Sequence, residues 1–137
     1  RGWLFDETMQ QIEQMQLGDR VLWREDVPQD AMPALYNMAA VLVVPSFYEG
    51  FGLTALEAMA CGTVPIVSNR SSLPEVVGDV GLLVDPDDPS TLTAALQRAL
   101  TDTAWRETNQ TAGIARAATF RWENTASIAL ATYQAVM

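Results

Sequence analysis

The sequence predicts an α/β domain with a doubly wound parallel sheet. Three observations carry that prediction. The run VLVV (41–44) is short and apolar without alternation, as in a strand covered on both faces, and VPIVS (64–68) reads as the next strand. Each is followed by a turn and then a segment with helical spacing of its apolar residues. Strand and helix signals also alternate along the chain, which points to parallel pairing through helical crossovers.

In order, residues 6–17 read as a helix and RVLW (20–23) as a short strand, giving about four strands in all. Residues 30–40 read as a helix that tolerates Pro33 in its first turn, where the missing N–H has no partner to lose. Val41 to Val44 form the next strand, which stops at Pro45. Residues 48–52 are its loop. Leu53, Leu56, Met59 and Ala60 then recur at helical spacing, and Gly62 supplies a left-handed stop. The VPIVS strand carries Pro65 near its start, where a lost donor costs least. Ser72 and Glu75, three apart, predict a capping box on a helix over 72–77. Asp88 and Pro89 predict an N-cap and first helical residue, with Leu92, Ala95, Leu96, Ala99 and Leu100 as the apolar stripe. Two further helices, about 104–118 and 123–136, follow. No internal repeat, low-complexity tract or linker interrupts the chain.

Composition removes several chemistries. The 137 residues, 49% hydrophobic, suit one domain that buries about two-thirds of its unfolded surface. All eight basic residues are arginine, and there is no histidine, so a Schiff-base lysine, a P-loop lysine, a histidine base and histidine metal sites are excluded within this chain. The single Cys61, at a helix end between Ala60 and Gly62, reads as a small buried residue rather than a nucleophile. No apolar run approaches the ~20 residues of a membrane span, and nothing implies export, so the cytoplasm is the expected location. A net charge of −9 argues against a nucleic-acid surface.

The most informative stretch is PSFYEGFGLTALEAMACG (45–62). It runs from the carboxyl end of a strand, where open α/β sheets bind ligands, through a glycine loop into a helix. A helix start presents free N–H groups and a partial positive charge, which suit a phosphate. Gly50 and Gly52 let a ligand approach the backbone, and Thr54 places a hydroxyl in the first turn. Glu49 and Glu57 accept hydrogen bonds only, as vicinal sugar hydroxyls require. On spacing alone, simple turn chemistry and a solvated pair of glutamates explain the same residues as well.

Glu49 and Glu57, eight positions apart, resemble the E-x7-E motif of retaining glycosyltransferases of the large group-1 family, which have the two-domain GT-B fold. The similarity extends to MPALYNMAA (32–40), SSLPEVVGD (71–79), GLLVDP (81–86) and FRWENT (120–125) with Tyr133, nearly the full chain. It implies a partial, Rossmann-like C-terminal domain over 1–137 that binds a nucleotide-sugar donor and transfers a hexosyl group with retention, without a metal or other cofactor. It also implies roles: Glu49 faces the donor sugar and is the catalytic candidate. Gly50, Phe51, Gly52, Leu53 and Thr54 hold sugar and phosphates, and Glu57 holds the ribose. Family members commonly have proline where Thr54 stands, which leaves a simple first-turn role open for it.

Gly2, Trp3 and Leu4 resemble the family just after its second strand, so the first strands, their basic clamp on the pyrophosphate and a whole N-terminal acceptor-binding domain are expected outside this chain. In the family's strand order, 3-2-1-4-5-6, the absent strands lie in the middle, leaving an edge open to slippage or to a second copy of the chain. The acidic balance repels a diphosphate at long range, so cations are expected from elsewhere, and association of the full-length enzyme with a membrane periphery stays open. The rival reading is a non-catalytic nucleotide-binding or interaction module. An epimerase lacks its histidines here, and a phosphorylase its cofactor lysine.

Weaker signals remain. Residues 23–26 (WRED) occupy the family's loop beside the nucleobase but lack its threonine-glycine-aromatic pattern. Arg70 reads as a surface arginine before a phosphate ligand. Trp3, Trp105, Trp122 and Tyr133 read as packing anchors, and Asp85, Asp87 and Asp88 as a turn and helix cap rather than a calcium loop.

Overall fold

The computed structural model describes residues 5–136. Helix α1 (Phe5–Gln14) is followed by irregular chain, a 3-10 turn at Gln29–Ala31 and α2 (Met32–Met38). Then come β1 (Val41–Val44), α3 (Leu53–Ala60), β2 (Val64–Ser68), α4 (Leu73–Val77), β3 (Leu82–Val84), α5 (Pro89–Thr101), α6 (Thr103–Ala117) and α7 (Trp122–Ala135). The three strands form one parallel sheet in the order β1-β2-β3, with Val41 opposite Val64 and Ile66 opposite Leu82.

Both faces of the sheet are covered at its centre, which is why β1 and β2 read as unbroken apolar runs, while Leu83 of β3 stays exposed. Val67 joins Ala55, Met59, Leu73, Val76, Val77 and Val80 under α3 and α4, with Leu42 and Val44 packed alongside. On the other face Ile66 and Val84 pack with Ala95 and Ala99 of α5, flanked by Val41, Val43 and Trp105. The period of two along each strand divides its residues between these two layers. All five residues of β2 are buried, so the central strand is the spine of the domain.

Gly81, which opens β3, permits that spine to be this tight. Its φ is +78°, and a Cβ there would lie 2.0 Å from the carbonyl oxygen of Pro65. Its N–H donates to Oδ1 of the buried Asn109 at 2.9 Å, which ties α6 to the sheet.

Three expectations need correction. RVLW is not a strand: residues 21–25 carry no regular structure, and the sheet has three strands rather than four among the described residues. A strand takes its hydrogen bonds from a neighbour, and these residues pair with none of the described strands. Arg20 and Val21 instead donate to the Leu17 carbonyl, and Trp23 packs edge-on against Phe5 with ring centroids 4.6 Å apart. The capping box on α4 does not form, because the Ser72 hydroxyl is used elsewhere. Trp122 and Tyr133, expected as anchors, are 86% and 69% exposed on α7, which buries no residue. Trp105 does pack, between the core and the Arg98 guanidinium, 4.9 Å from its ring. Residues 2–4, with Trp3, lie outside the described residues.

The Asp88 cap and Pro89 start hold as expected, the Asp88 carboxylate accepting from the Ser90 N–H at 2.9 Å. Those bonds to Ser90 hold the Asp88 carboxyl below the usual aspartate value. Gly62 closes α3 with a φ of +77°.

Candidate functional site

The loop between β1 and α3 lies at the carboxyl end of β1, and its backbone is unusually free. Among the described residues, the five consecutive N–H groups of Gly50, Phe51, Gly52, Leu53 and Thr54 find no acceptor. Helix α3 starts at Leu53, and the Gly52 carbonyl accepts from Ala55 and Leu56, so the leading amides have no earlier turn to bond. Gly52 has a φ of +99°, and a Cβ on it would meet Leu73 Cδ2 at 3.0 Å, so its glycine serves the packing of the loop on α4 as well as the turn. Gly50, by contrast, faces open space.

The two glutamates flank these amides and are each held on one side. Ser46, three residues before Glu49, donates its hydroxyl to Glu49 Oε1 at 2.8 Å. Tyr36 of α2, 6% exposed, donates to Glu57 Oε2 at 3.0 Å. The Thr63 hydroxyl, also buried, donates to the Tyr36 carbonyl and fixes α2 against the turn after α3. Burial, followed by the hydrogen bond to Glu57, pushes the Tyr36 hydroxyl up to about 12. Among the described residues nothing donates to Glu49 Oε2 or Glu57 Oε1. Each carboxylate thus has one oxygen fixed by the protein and one left to accept from a ligand.

The Glu49 backbone is held as well. Its N–H donates to Ser71 Oγ at 2.9 Å, and its carbonyl accepts from Ser72 Oγ at 2.9 Å and from Ser71 Oγ at 3.2 Å. These two serines, in the turn between β2 and α4, connect the second βα loop to the first.

The remaining expected residues are less engaged. The Phe51 ring turns away to meet Phe120 edge-on, with centroids 6.1 Å apart. With Leu53, Leu56, Arg121, Trp122 and Thr125 these rings line a groove of about 440 Å³ beside the loop. The Thr54 hydroxyl has no protein partner among the described residues. Arg70 is bound to Asp85, at 3.3 Å, and to Asp87, with Phe47 beneath its guanidinium at 5.9 Å. Its charge is therefore largely taken up. No group of three or more histidine, cysteine or carboxylate side chains suited to a metal occurs among the described residues, and no helix there is long and apolar enough to cross a membrane.

Sequence reasoning missed Tyr36, Ser46 and Ser71 as members of this constellation. Tyr36 carried a signal, since a tyrosine among apolar helix residues must find a partner for its hydroxyl when buried. The serines carried none, because short hydroxylated residues are common in any turn.

Residues 2–117 match the family model described as glycosyl transferases group 1. O-antigen chain mannosyltransferase B of Escherichia coli is 42% identical over 98% of this chain and 35% of its own length. D-inositol 3-phosphate glycosyltransferase of Thermobifida fusca (strain YX) is 35% identical over 96% of this chain and 30% of its own. Among solved structures, sucrose-phosphate synthase from Thermosynechococcus elongatus superposes with a TM-score of 0.84 at 38% identity, over 96% of this chain and 34% of that one. The chain spans about a third of the length of the curated relatives it matches. With a family model matched over most of its residues, the chain belongs to the group-1 glycosyl transferases.

Proposed function

We propose that residues 1–137 are part of the donor-binding C-terminal domain of a retaining, nucleotide-sugar-dependent hexosyltransferase, whose acceptor is held by a domain outside this chain. The observation that carries the reading is the row of five unpartnered N–H groups from Gly50 to Thr54, set between two carboxylates that each keep one oxygen available. Free amides at a helix start suit the phosphates and leaving-group charge, while acceptor-only carboxylates suit hydroxyls. Glu57 then takes the ribose, and Glu49 faces the sugar as the catalytic candidate. The names of several relatives, mannosyltransferases among them, make mannose the first sugar to test.

Calorimetry with UDP-, GDP- and ADP-hexoses on the full-length protein tests this reading. Saturable binding is expected for one of them, weakened about tenfold or more by Glu57→Ala, as for loss of hydrogen bonds to a charged acceptor. Glu49→Gln is expected to lower kcat while leaving nucleotide affinity near that of the parent. Binding that is indifferent to Glu57→Ala would remove the assignment.

A second reading, a nucleotide-binding module without transfer, draws on Arg70, which follows β2 and is engaged by Asp85 and Asp87. Measurable sugar transfer, abolished by Glu49→Ala, decides against it.

A further inference from the structure

Two local rules are broken side by side at the start of α4. Ser71 is one of few non-glycine residues with positive φ, at +50°, a region that L side chains rarely adopt. Ser72 stands at the N-cap of α4 with Glu75 three residues on, yet its side chain makes no capping bond. Departures of this kind persist only where the surroundings over-determine them, and they gather at functional sites. Here both hydroxyls are turned to one residue of another loop: Ser71 Oγ accepts from the Glu49 N–H and also contacts its carbonyl, and Ser72 Oγ donates to that carbonyl.

We propose that Ser71 and Ser72 are positioning residues for Glu49, clamping its main chain so that its carboxylate is held in one place beside the free amides of Gly50 to Thr54. The inference rests on the donor-site reading above. The clamp complements Ser46, which holds the side chain of the same residue from within its own loop. Between them the three serines fix Glu49 at its N–H, its carbonyl and one carboxylate oxygen, and leave Oε2 available. Loop residues unsupported in this way sample many conformers, and a reacting group displaced by about 1 Å loses much of its effect. The clamp also joins the first and second βα loops, so movement of the α4 turn is transmitted to Glu49.

The test uses the full-length protein with three probe pairs, GDP-mannose against GDP, UDP-glucose against UDP and ADP-glucose against ADP. Because Glu49 faces the sugar and not the nucleotide, Ser71→Gly/Ser72→Ala is expected to leave nucleoside diphosphate affinity unchanged. It should weaken nucleotide-sugar binding about tenfold, the scale of one or two lost hydrogen bonds, and lower kcat with it. Ser71→Gly relieves the positive φ, so the melting temperature should hold or rise while function falls, a divergence that a purely structural role does not produce. Ser72→Thr keeps the hydroxyl and should restore most of the loss seen with Ser72→Ala. Equal weakening of diphosphate and nucleotide-sugar, or unchanged sugar affinity and kcat in the double variant, would overturn the clamp. A parent protein that binds none of the six probes overturns the donor-site reading itself, and the clamp with it.

Discussion

Tyr36 shows how much depends on a single hydroxyl. In the native state it is buried and donates to Glu57, which holds it neutral up to about 12, against 10.0 in the unfolded chain. Between pH 10 and 12 the unfolded state has therefore lost a proton that the native state keeps, so stability falls as pH rises through that window. The slope is at most ~1.4 kcal/mol per pH unit. Below pH 10 the contribution is fully present. Tyr36→Phe should remove this alkaline slope in urea titrations repeated from pH 8 to 11. At neutral pH it should cost about 1 kcal/mol through the lost hydrogen bond. It should also weaken any ligand bound through Glu57, because that carboxylate loses its fixed side.

At the scale of elements, the unit that matters is strand, loop and helix repeated: β1 into α3, and β2 into α4. The two loops meet at Glu49, Ser71 and Ser72, and Gly52 packs on Leu73 of the second helix. Arg116 of α6 closes the end of α4 by donating to the carbonyls of Glu75 and Val76, and its guanidinium lies 5.1 Å from the Phe120 ring. Phe120 in turn meets Phe51 of the site loop. The return to β3 rests on Gly81. Gly81→Ala would set a methyl against the Pro65 carbonyl and force an alanine to φ +78°, so β3 must part from β2. Strain and overpacking together are expected to cost about 3 kcal/mol or more. The urea midpoint should fall accordingly, with loss of most of the margin a small domain has.

Across the whole molecule, burial is uneven. Neither α1 nor α7 buries a residue, whereas β2 is buried throughout. Stability to local opening follows buried apolar contact, so hydrogen exchange should run fast in α1 and α7 and slowest in β2 and α3. The apolar side chains of α7 at Trp122, Ile128, Leu130 and Tyr133 are exposed as they stand. The outer edge of β1 pairs with no described strand. If a second copy covers that edge, exchange in residues 41–44 should slow as protein concentration rises while α1 and α7 stay fast; unchanged β1 exchange across a hundredfold range of concentration would exclude it.

How much of this was legible depends on whether the physics is local. The strands VLVV and VPIVS were readable because burial on both faces demands unbroken apolar runs, and Asp88-Pro89 and Gly62 were readable because caps are decided within one turn of helix. RVLW has an apolar run of three, but Arg20 and Val21 donate to the Leu17 carbonyl and the segment pairs with no described strand, so it stays irregular. Likewise Ser72 has the spacing of a capping box and spends its hydroxyl on Glu49, 23 residues away. The α/β class, the glycine loop and the two glutamates were legible in the chain alone, because periodicity and turn chemistry act over a few residues. Which hydroxyls hold those glutamates was set by folding, because Tyr36, Ser71 and Ser72 reach them through packing of α2 and α4 against α3, and such contacts leave no periodic trace in the chain.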